Sequence, residues 1–216
     1  LILGLFIGKK LAQPDNENFR PENHQSGYRL ISPLLECNAN VYTYNSAALK
    51  EELQKFIDHN IEQQNIKNVS IYFRDLNNGP WIGINEKEKF SMASLLKVPI
   101  LIAYLKIAEN NPAILNEKIT ISQEEENTGI NQNILPLKRV RKDSEYTVNE
   151  LLEYMIMYSD NTAANALIKN CPADALDRIY SDLNLKNPLD GESENFMTLT
   201  EYSSFFRILY NASYLN

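Results

Sequence analysis

The segment that most restricts how this chain can fold is an almost wholly apolar stretch from Met92 to Leu105. Its length and its leucine, isoleucine and alanine content predict a buried helix rather than a strand. Pro99 removes one backbone hydrogen bond, so the helix should begin close to Ser94 and hold the proline within its first turns. The sequence therefore predicts a core helix against which the rest of its domain packs.

Two polar side chains, Ser94 and Lys97, lie at the start of this apolar segment. On a helix the lysine lies on the same face as the serine and can reach its hydroxyl. Apolar neighbours would desolvate the ammonium and lower its pKa, which makes the amine a usable base for a serine nucleophile. The alternative is a serine that caps a helix and a lysine whose stem lies along the core.

A second polar group, Ser159-Asp160-Asn161, follows 65 positions after Ser94. Thr147 to Glu150 has the form of a capping box and opens an apolar helix that runs to Tyr158. A helical pattern resumes at Thr162, so the triplet lies at a junction between two helices, where its side chains can point into a cleft. The alternative is a simple capping cluster, because these residue types are favoured at helix starts.

Together the two motifs and their surroundings, 89–109 and 146–170, resemble the class A serine β-lactamases and the wider penicillin-recognising serine hydrolases. The resemblance extends from about Ala48 to the end of the chain. It implies an α+β fold in which an antiparallel sheet with packed helices adjoins an all-helical lobe. It also implies that the C-terminal strands of that sheet are missing from this chain.

The same resemblance implies a role for each residue of the two motifs. Ser94 would be the acyl-accepting nucleophile and Lys97 its general base or proton relay. Ser159 would pass a proton to the departing nitrogen, Asn161 would bind the substrate amide, and Asp160 would hold the junction in shape. The implied reaction requires no cofactor and no metal. The implied partners are small molecules, either β-lactams or cell-wall peptides, and a monomer is expected.

The domain organisation follows from the pattern of elements. Residues 1–35 read as a truncated signal or anchor segment with a polar linker, residues 46–92 as a helix with a β-hairpin, and residues 93–216 as the helical lobe. The hairpin is predicted from alternation over 68–76, a turn at 77–80 and a returning strand at 81–85.

Apolar periodicity predicts two further helices, separated by stretches that include an irregular segment. The first helix, 46–65, is predicted to present one apolar face, and a tail helix is predicted over 199–210. The stretch 119–145 is predicted to be irregular. The residues expected on the apolar face of the first helix are Leu49, Leu53, Phe56 and Ile57.

The chain departs from the class A pattern where deacylation would be carried out. That class has a Glu-x-x-Leu-Asn motif whose glutamate activates the hydrolytic water, and this sequence has none. Glu192 and Glu194 are weak candidates for the missing group, and a solvated turn is the simpler interpretation of both. The expected profile is therefore acylation followed by slow hydrolysis.

A second departure is that no Lys-Thr-Gly-like triplet occurs after the helical lobe. The chain begins with leucine and stops shortly after the tail helix, so we expect it to be a fragment of a longer reading frame. A hairpin without further strands is marginally stable. We accordingly expect this 216-residue piece to be poorly stable in isolation.

Composition excludes several other function classes. A net charge of −7 argues against a nucleic-acid partner. Cys37 and Cys171 have no metal-ligand spacing, and a disulfide between them has no support from the sequence. His24 and His59 lie in polar segments predicted to be exposed, which argues against a zinc site or a Ser-His-Asp triad.

The N-terminal residues 1–8 are apolar and precede Lys9-Lys10. They resemble the end of a signal peptide or membrane anchor, which predicts an extracytoplasmic, periplasmic or cell-surface protein. Three functions stay open at this point: a β-lactamase-like serine hydrolase, a penicillin-binding D-Ala-D-Ala peptidase, and a non-catalytic cell-wall-binding module. The intact Ser94, Lys97, Ser159 and Asn161 argue against the last.

Overall fold

The computed structural model describes residues 44–76, 81–124, 134–189 and 196–215. These residues belong to two compact units that divide between Lys87 and Glu88. In both units helices pack against short antiparallel strand pairs, so the fold class is α+β.

The first unit contains helix α1 (Tyr44–Glu62) and strands β1 (Ile71–Arg74) and β2 (Trp81–Ile84). The strands pair antiparallel, from Ile71 opposite Ile84 to Arg74 opposite Trp81, which confirms the predicted hairpin. Its predicted turn, 77–80, lies outside the described residues. Beyond the strand ends, the Asn85 side chain donates to the Val69 carbonyl at 3.0 Å and extends the pairing.

The predicted apolar face of α1 is only partly buried. Ile57 is buried, as are Ile82 and Ile84 of β2, on which the helix packs. In contrast, Leu49 is 45% exposed and Phe56 is 67% exposed. A hairpin of two short strands, the part of this unit described beside α1, covers only a narrow strip of a helix.

The second unit contains five of the described α-helices and four short strands. The strands do not all pair in the order in which they follow along the chain. Strand β3 pairs antiparallel with β6, and β4 pairs antiparallel with β5. The elements in chain order are β3 (Lys89–Ser91), a 3₁₀ turn (Ala93–Leu96), α2 (Lys97–Asn110), a 3₁₀ turn (Pro112–Asn116), β4 (Lys118–Thr120), β5 (Glu145–Thr147), α3 (Val148–Met157), α4 (Asn161–Asn170), α5 (Ala175–Asp182), β6 (Phe196–Thr198) and α6 (Leu199–Tyr210).

Helix α2 is the centre of this unit, as its apolar sequence predicts. Ile100, Ile102, Ala103 and Tyr104 are each at most 1% exposed, and the helix packs against α3, α4 and α5. The Tyr104 hydroxyl donates to the Leu167 carbonyl at 2.7 Å, which ties α2 to α4 inside the core. Burial raises the pKa of Tyr104 well above its usual range, so this donor stays protonated.

Two predictions about element boundaries were inaccurate. The α-helix begins at Lys97, and Ser94 lies in the 3₁₀ turn that precedes it; Pro99 is the third residue of α2, where its missing N–H leaves no intrahelical bond unmade. The stretch predicted to be irregular, 119–145, begins inside β4 and ends at the first residue of β5. These two strands pair with each other, with Ile119 opposite Tyr146. Three-residue strands are too short to show an alternating pattern.

Two other boundaries were predicted well. Thr147 and Glu150 form the predicted capping box at the start of α3. The tail helix α6 spans the predicted residues, and its own capping box is formed by Thr198 and Glu201. Across the described ranges, none of the helices has the length and apolar character required to cross a bilayer.

Candidate active site

A cleft of about 890 Å³ in the second unit contains the four polar residues singled out above. Ser94 and Lys97 come from the 3₁₀ turn and the first residue of α2, whereas Ser159 and Asn161 come from the junction between α3 and α4. Residues 65 positions apart in sequence therefore share one wall of a cavity. The fold brings both motifs together.

The Ser94 hydroxyl, the Lys97 amine and the Ser159 hydroxyl form a closed triangle. The Lys97 Nζ lies 3.3 Å from Ser94 Oγ and 2.9 Å from Ser159 Oγ, and the two hydroxyl oxygens are 3.1 Å apart. All three sides are within hydrogen-bond reach. A proton on any one of these atoms can consequently pass to either of the others without an intervening water.

Lys97 is held by two further acceptors that cannot give it a proton. Its Nζ donates to the Ser159 carbonyl and to Asn161 Oδ1, both at 2.7 Å. These two bonds are the shortest that the amine makes, and they fix two of its N–H directions. The remaining direction points to the hydroxyls, which is where a neutral amine would present its lone pair.

Burial lowers the pKa of Lys97 from its usual value, and the nearby Asp160 carboxylate partly opposes this effect. The side chain is only 6% exposed, so the charged form is poorly solvated. A lysine that loses its proton more readily is a better general base near neutral pH. The environment therefore supplies what the serine needs in order to become a nucleophile.

The backbone at both motifs is strained. Ala93, directly before Ser94, has φ +43°, and Ser159 has φ +57°. Non-glycine residues rarely adopt this left-handed region, and such strain is concentrated at functional sites. At Ser159 it turns the carbonyl and the hydroxyl of one residue toward the same amine.

Asp160 builds the junction rather than the cleft surface. It is 1% exposed and caps α4, accepting from the backbone N–H groups of Thr162 at 2.8 Å and Ala163 at 3.3 Å. Its other oxygen accepts from the N–H of Val140 at 2.7 Å, which attaches the segment before β5 to the same point. This geometry fits the structural role that the resemblance implied for Asp160.

Sequence reasoning missed a residue that supports the 3₁₀ turn containing Ser94. The Tyr202 hydroxyl of α6 donates to the carbonyl of Leu95 at 3.2 Å, one residue after Ser94. Burial raises the pKa of Tyr202 to about 12, so the hydroxyl remains a donor at physiological pH. In the sequence, position 202 is one of the apolar positions of the tail helix predicted over 199–210. A contact across 107 positions has no signal in local spacing.

The other residues considered in the sequence analysis differ in whether the structure describes them. Glu192 and Glu194 lie outside the described residues, as do Cys37 and His24. Cys171 is half-buried, and burial raises the pKa of its thiol to about 11. His59 is exposed near the end of α1, as predicted.

The part of the chain that the structure describes contains no candidate metal site. No three side chains of the histidine, cysteine, aspartate and glutamate types converge there. The cleft instead offers hydroxyl, amine and amide groups beside apolar walls from the segment 134–137 and from α4.

Comparison with known proteins identifies the family of this chain. The sequence model of the "Beta-lactamase enzyme family" matches residues 48–216. A curated β-lactamase of Bacillus subtilis (strain 168) is 30% identical over 116 residues, which make up 54% of this chain and 35% of that protein. The match therefore spans about a third of the relative's length.

Solved structures share the fold. A mutant of PBP-A in acyl-enzyme complex with penicillin G superposes with a TM-score of 0.60 at 23% identity, over 79% of this chain and 64% of that protein. The β-lactamase of Sphaerobacter thermophilus DSM 20745 gives a TM-score of 0.61 at 20% identity, over 82% of this chain and 65% of that protein. The family match extends over far more than half of the sequence and includes both motifs. The chain belongs to the beta-lactamase enzyme family.

Proposed function

We propose that this protein is a serine hydrolase that is acylated at Ser94 by β-lactams or related amides. The observation that carries the proposal is the closed triangle of Ser94, Lys97 and Ser159. A structural cap would need one hydroxyl near a helix start. It would not need a desolvated amine within reach of two hydroxyls.

The chemistry of acylation can be assigned to individual atoms. The Ser94 oxygen attacks the carbonyl carbon and its proton moves to the neutral Lys97 amine. As the carbon–nitrogen bond of the substrate breaks, the Ser159 hydroxyl gives its proton to the departing nitrogen and is reprotonated by Lys97. The net result is a Ser94 ester and an N–H on the product, with no other reactant consumed.

Asn161 positions the substrate in this scheme. Its Oδ1 already accepts from Lys97, so the side-chain amide is fixed with its Nδ2 on the other side. An amide nitrogen in that place suits the carbonyl of a substrate's side-chain amide. The same residue thereby orients the base and the substrate.

Hydrolysis of the acyl-enzyme is proposed to be slow. The sequence has no Glu-x-x-Leu-Asn motif, and around the triangle no carboxylate side chain lines the described part of the cleft. A penicillin-binding peptidase is the second candidate function, favoured by this missing motif and by the fold shared with PBP-A. A non-catalytic cell-wall-binding module is the third, and the intact triangle argues against it.

The deciding experiment is an intact-mass time course of the full-length protein with benzylpenicillin. The comparison variants are Ser94→Ala, which removes the nucleophile, and Ser181→Ala, which removes an exposed hydroxyl on α5. We expect a penicillin adduct in the wild type and in Ser181→Ala that persists for hours and is absent from Ser94→Ala. An adduct that decays within minutes would instead indicate an efficient β-lactamase.

An absence of adduct in all three proteins would contradict acylation by β-lactams and leave another acyl substrate or the non-catalytic module. We further propose that the protein is exported, since residues 1–8 and Lys9-Lys10 resemble a signal or anchor segment. We also propose that it is a monomer. Sedimentation of the purified protein and fractionation of expressing cells test these two points.

A further inference from the structure

A second cavity, of about 960 Å³, lies beside the Ser94 cleft and has a different chemical character. We call it the basic groove, defined by the residues that line it, 137–144 together with Tyr146 and Tyr154. Its lining carries four cations and one carboxylate, Asp143, for a net charge of +3. The chain as a whole has a net charge of −7, so the positive charge of the groove is opposite in sign to that of the whole chain.

The two arginines of the basic groove are presented to solvent and are not neutralised by a described carboxylate. Arg139 and Arg141 are exposed, and within the described residues no carboxylate lies within salt-bridge distance of either guanidinium. Lys142 pairs with Asp143 at 3.7 Å, a long and exposed contact. Two guanidinium groups on one short segment are suited to carboxylate or phosphate groups, which they bind in bidentate fashion.

The basic groove adjoins the Ser94 cleft. Leu137 lines both cavities. A ladder of three tyrosine rings connects them: the centroids of Tyr146 and Tyr154 are 5.7 Å apart, and those of Tyr154 and Tyr158 are also 5.7 Å apart. Tyr158 lines the Ser94 cleft, and the Lys138 ammonium lies 5.3 Å above its ring.

The segment that carries the cations is anchored to the catalytic junction. The N–H of Val140 donates to buried Asp160, and the N–H of Arg141 is held by the Tyr146 hydroxyl at 3.1 Å. Both bonds fix the backbone between the charged side chains. The positive groups are thus placed at a defined position next to the nucleophile, rather than on a loop without tertiary contacts.

We propose that the basic groove is an extension of the substrate site and binds the carboxylates of an acidic peptide whose acyl group reaches Ser94. This inference rests on the proposed function and adds a substrate class to it. An acidic peptide is favoured over a separate phosphate polymer because the shared Leu137 and the tyrosine ladder join the groove to the nucleophile. One bound molecule can then occupy both cavities.

Two synthetic penicillins test this proposal. One is 6-aminopenicillanic acid acylated by a triglutamate peptide, and the other carries a triglutamine peptide of the same length. We expect the first to acylate the wild-type full-length protein about 3- to 10-fold faster at low salt, as one or two exposed ion pairs would give. The advantage should shrink in 0.5 M NaCl, because salt screens exposed charges.

The variant that tests the groove is Arg139→Gln/Arg141→Gln, which should lose this preference while retaining its rate with the triglutamine penicillin. The matched control, Lys89→Gln/Lys186→Gln, removes the same charge from exposed positions outside both cavities and should keep the preference. Equal rates for the two penicillins in the wild type would overturn the proposal. Equal loss in the control would overturn it as well, because the effect would then come from net charge alone.

These experiments distinguish a failure of the groove assignment from a failure of the proposed function. If the triglutamine penicillin forms a Ser94 adduct but the triglutamate compound has no advantage, acylation stands and the groove assignment fails. If neither compound forms an adduct, NMR titration of free triglutamate into the Ser94→Ala protein tests the groove alone. Shifts confined to residues 138–146 would support it, whereas shifts produced only by pyrophosphate would overturn it in favour of a phosphate ligand.

Discussion

Lys97 has two functions in the proposed mechanism, in which the amine accepts the Ser94 proton and also holds the α3–α4 junction through its hydrogen bonds. Two of its bonds go to the Ser159 carbonyl and the Asn161 side chain, which catalysis leaves unchanged. The other contacts go to the reacting hydroxyls. Removing the amine therefore removes a base and leaves two acceptors of the junction without their donor.

Lys97→Met should reduce the rate of acylation by benzylpenicillin about 10²- to 10⁴-fold, the usual contribution of a general base. In the wild type the rate should rise with pH through the lowered pKa of Lys97, because only the neutral amine accepts the proton. Stopped-flow or mass-spectrometric rates between pH 5 and pH 10 would measure both effects. A flat wild-type profile would contradict the assignment of Lys97 as the base.

The same pKa shift has a consequence for stability. The unfolded chain keeps the usual lysine pKa of 10.5, so between the lowered folded pKa and 10.5 it binds more protons than the folded protein. Unfolding free energy should accordingly increase with pH across that window. Below it, Lys97 is charged in both states and its burial is fully destabilising. Urea denaturation of the wild type relative to Lys97→Met at several pH values gives the sign directly.

At the scale of elements, one buried carboxylate determines how α4 begins. Asp160→Ala removes three acceptor bonds at once and leaves the N–H of Val140 buried without a partner. Loss of a cap and of a charged hydrogen bond together should lower the unfolding free energy by about 2–4 kcal/mol. Urea denaturation would measure the loss.

The control for Asp160→Ala is Thr198→Ala, which removes the capping box of α6 without touching the junction. It should cost only about 0.5–2 kcal/mol and leave the acylation rate close to that of the wild type. Asp160→Ala should in addition slow acylation, since the backbone of Ser159 and Asn161 loses its support. Equal rates in the two variants would show that the cap does not position the site.

Two buried tyrosines form a matched pair that tests whether a hydrogen bond from α6 stabilises the 3₁₀ turn containing Ser94. Tyr202→Phe removes the donor to Leu95 and should cost about 1 kcal/mol, with a several-fold loss in acylation rate. The Tyr180 hydroxyl is buried, and no described residue offers it a hydrogen bond. Tyr180→Phe should therefore be neutral or stabilising, with an unchanged rate. Thermal denaturation and acylation rates of the two variants would decide, and a costly Tyr180→Phe would contradict this account.

Sequence reasoning predicted the elements whose signals are local. Helix α6 and the capping box at Thr147 depend on residues within one or two turns, so periodicity was sufficient. The pairs β3–β6 and β4–β5 were missed, because each strand has three residues and the partners of β3 lie about a hundred positions away. The same distinction between local and long-range signals applies to the site. The two motifs were found from their spacing, whereas the Tyr202 and Val140 contacts cross the fold without a spacing pattern.

For the whole molecule, the two units differ in how much core each one has. The second unit contains a continuous cluster of buried apolar residues that includes Ile102, Leu151 and Leu167. In the first unit, the described buried apolar residues are Ile57, Ile82 and Ile84. Few buried contacts and a two-stranded sheet are typical of regions that open at low free energy.

Native-state hydrogen exchange should show this difference. Amides of α2 and α3 should exchange only through global unfolding, whereas those of the β1–β2 hairpin should exchange at least about tenfold faster through local opening. Residue-resolved exchange by NMR at two denaturant concentrations would measure it. Equal protection in the hairpin and in α2 would contradict the prediction, as would a hairpin that exchanges only in the global transition.

The double attachment of Lys97 has a consequence for how mutations at this site would be tolerated in cells. Ser94 is exposed, and its loss removes reactivity while the scaffold keeps its bonds, so inactive Ser94 variants should accumulate at normal abundance. Lys97 variants should lose both activity and abundance. A variant library scored separately for protein level and for turnover would then place the two residues of one motif in different classes, although the proposed reaction requires both.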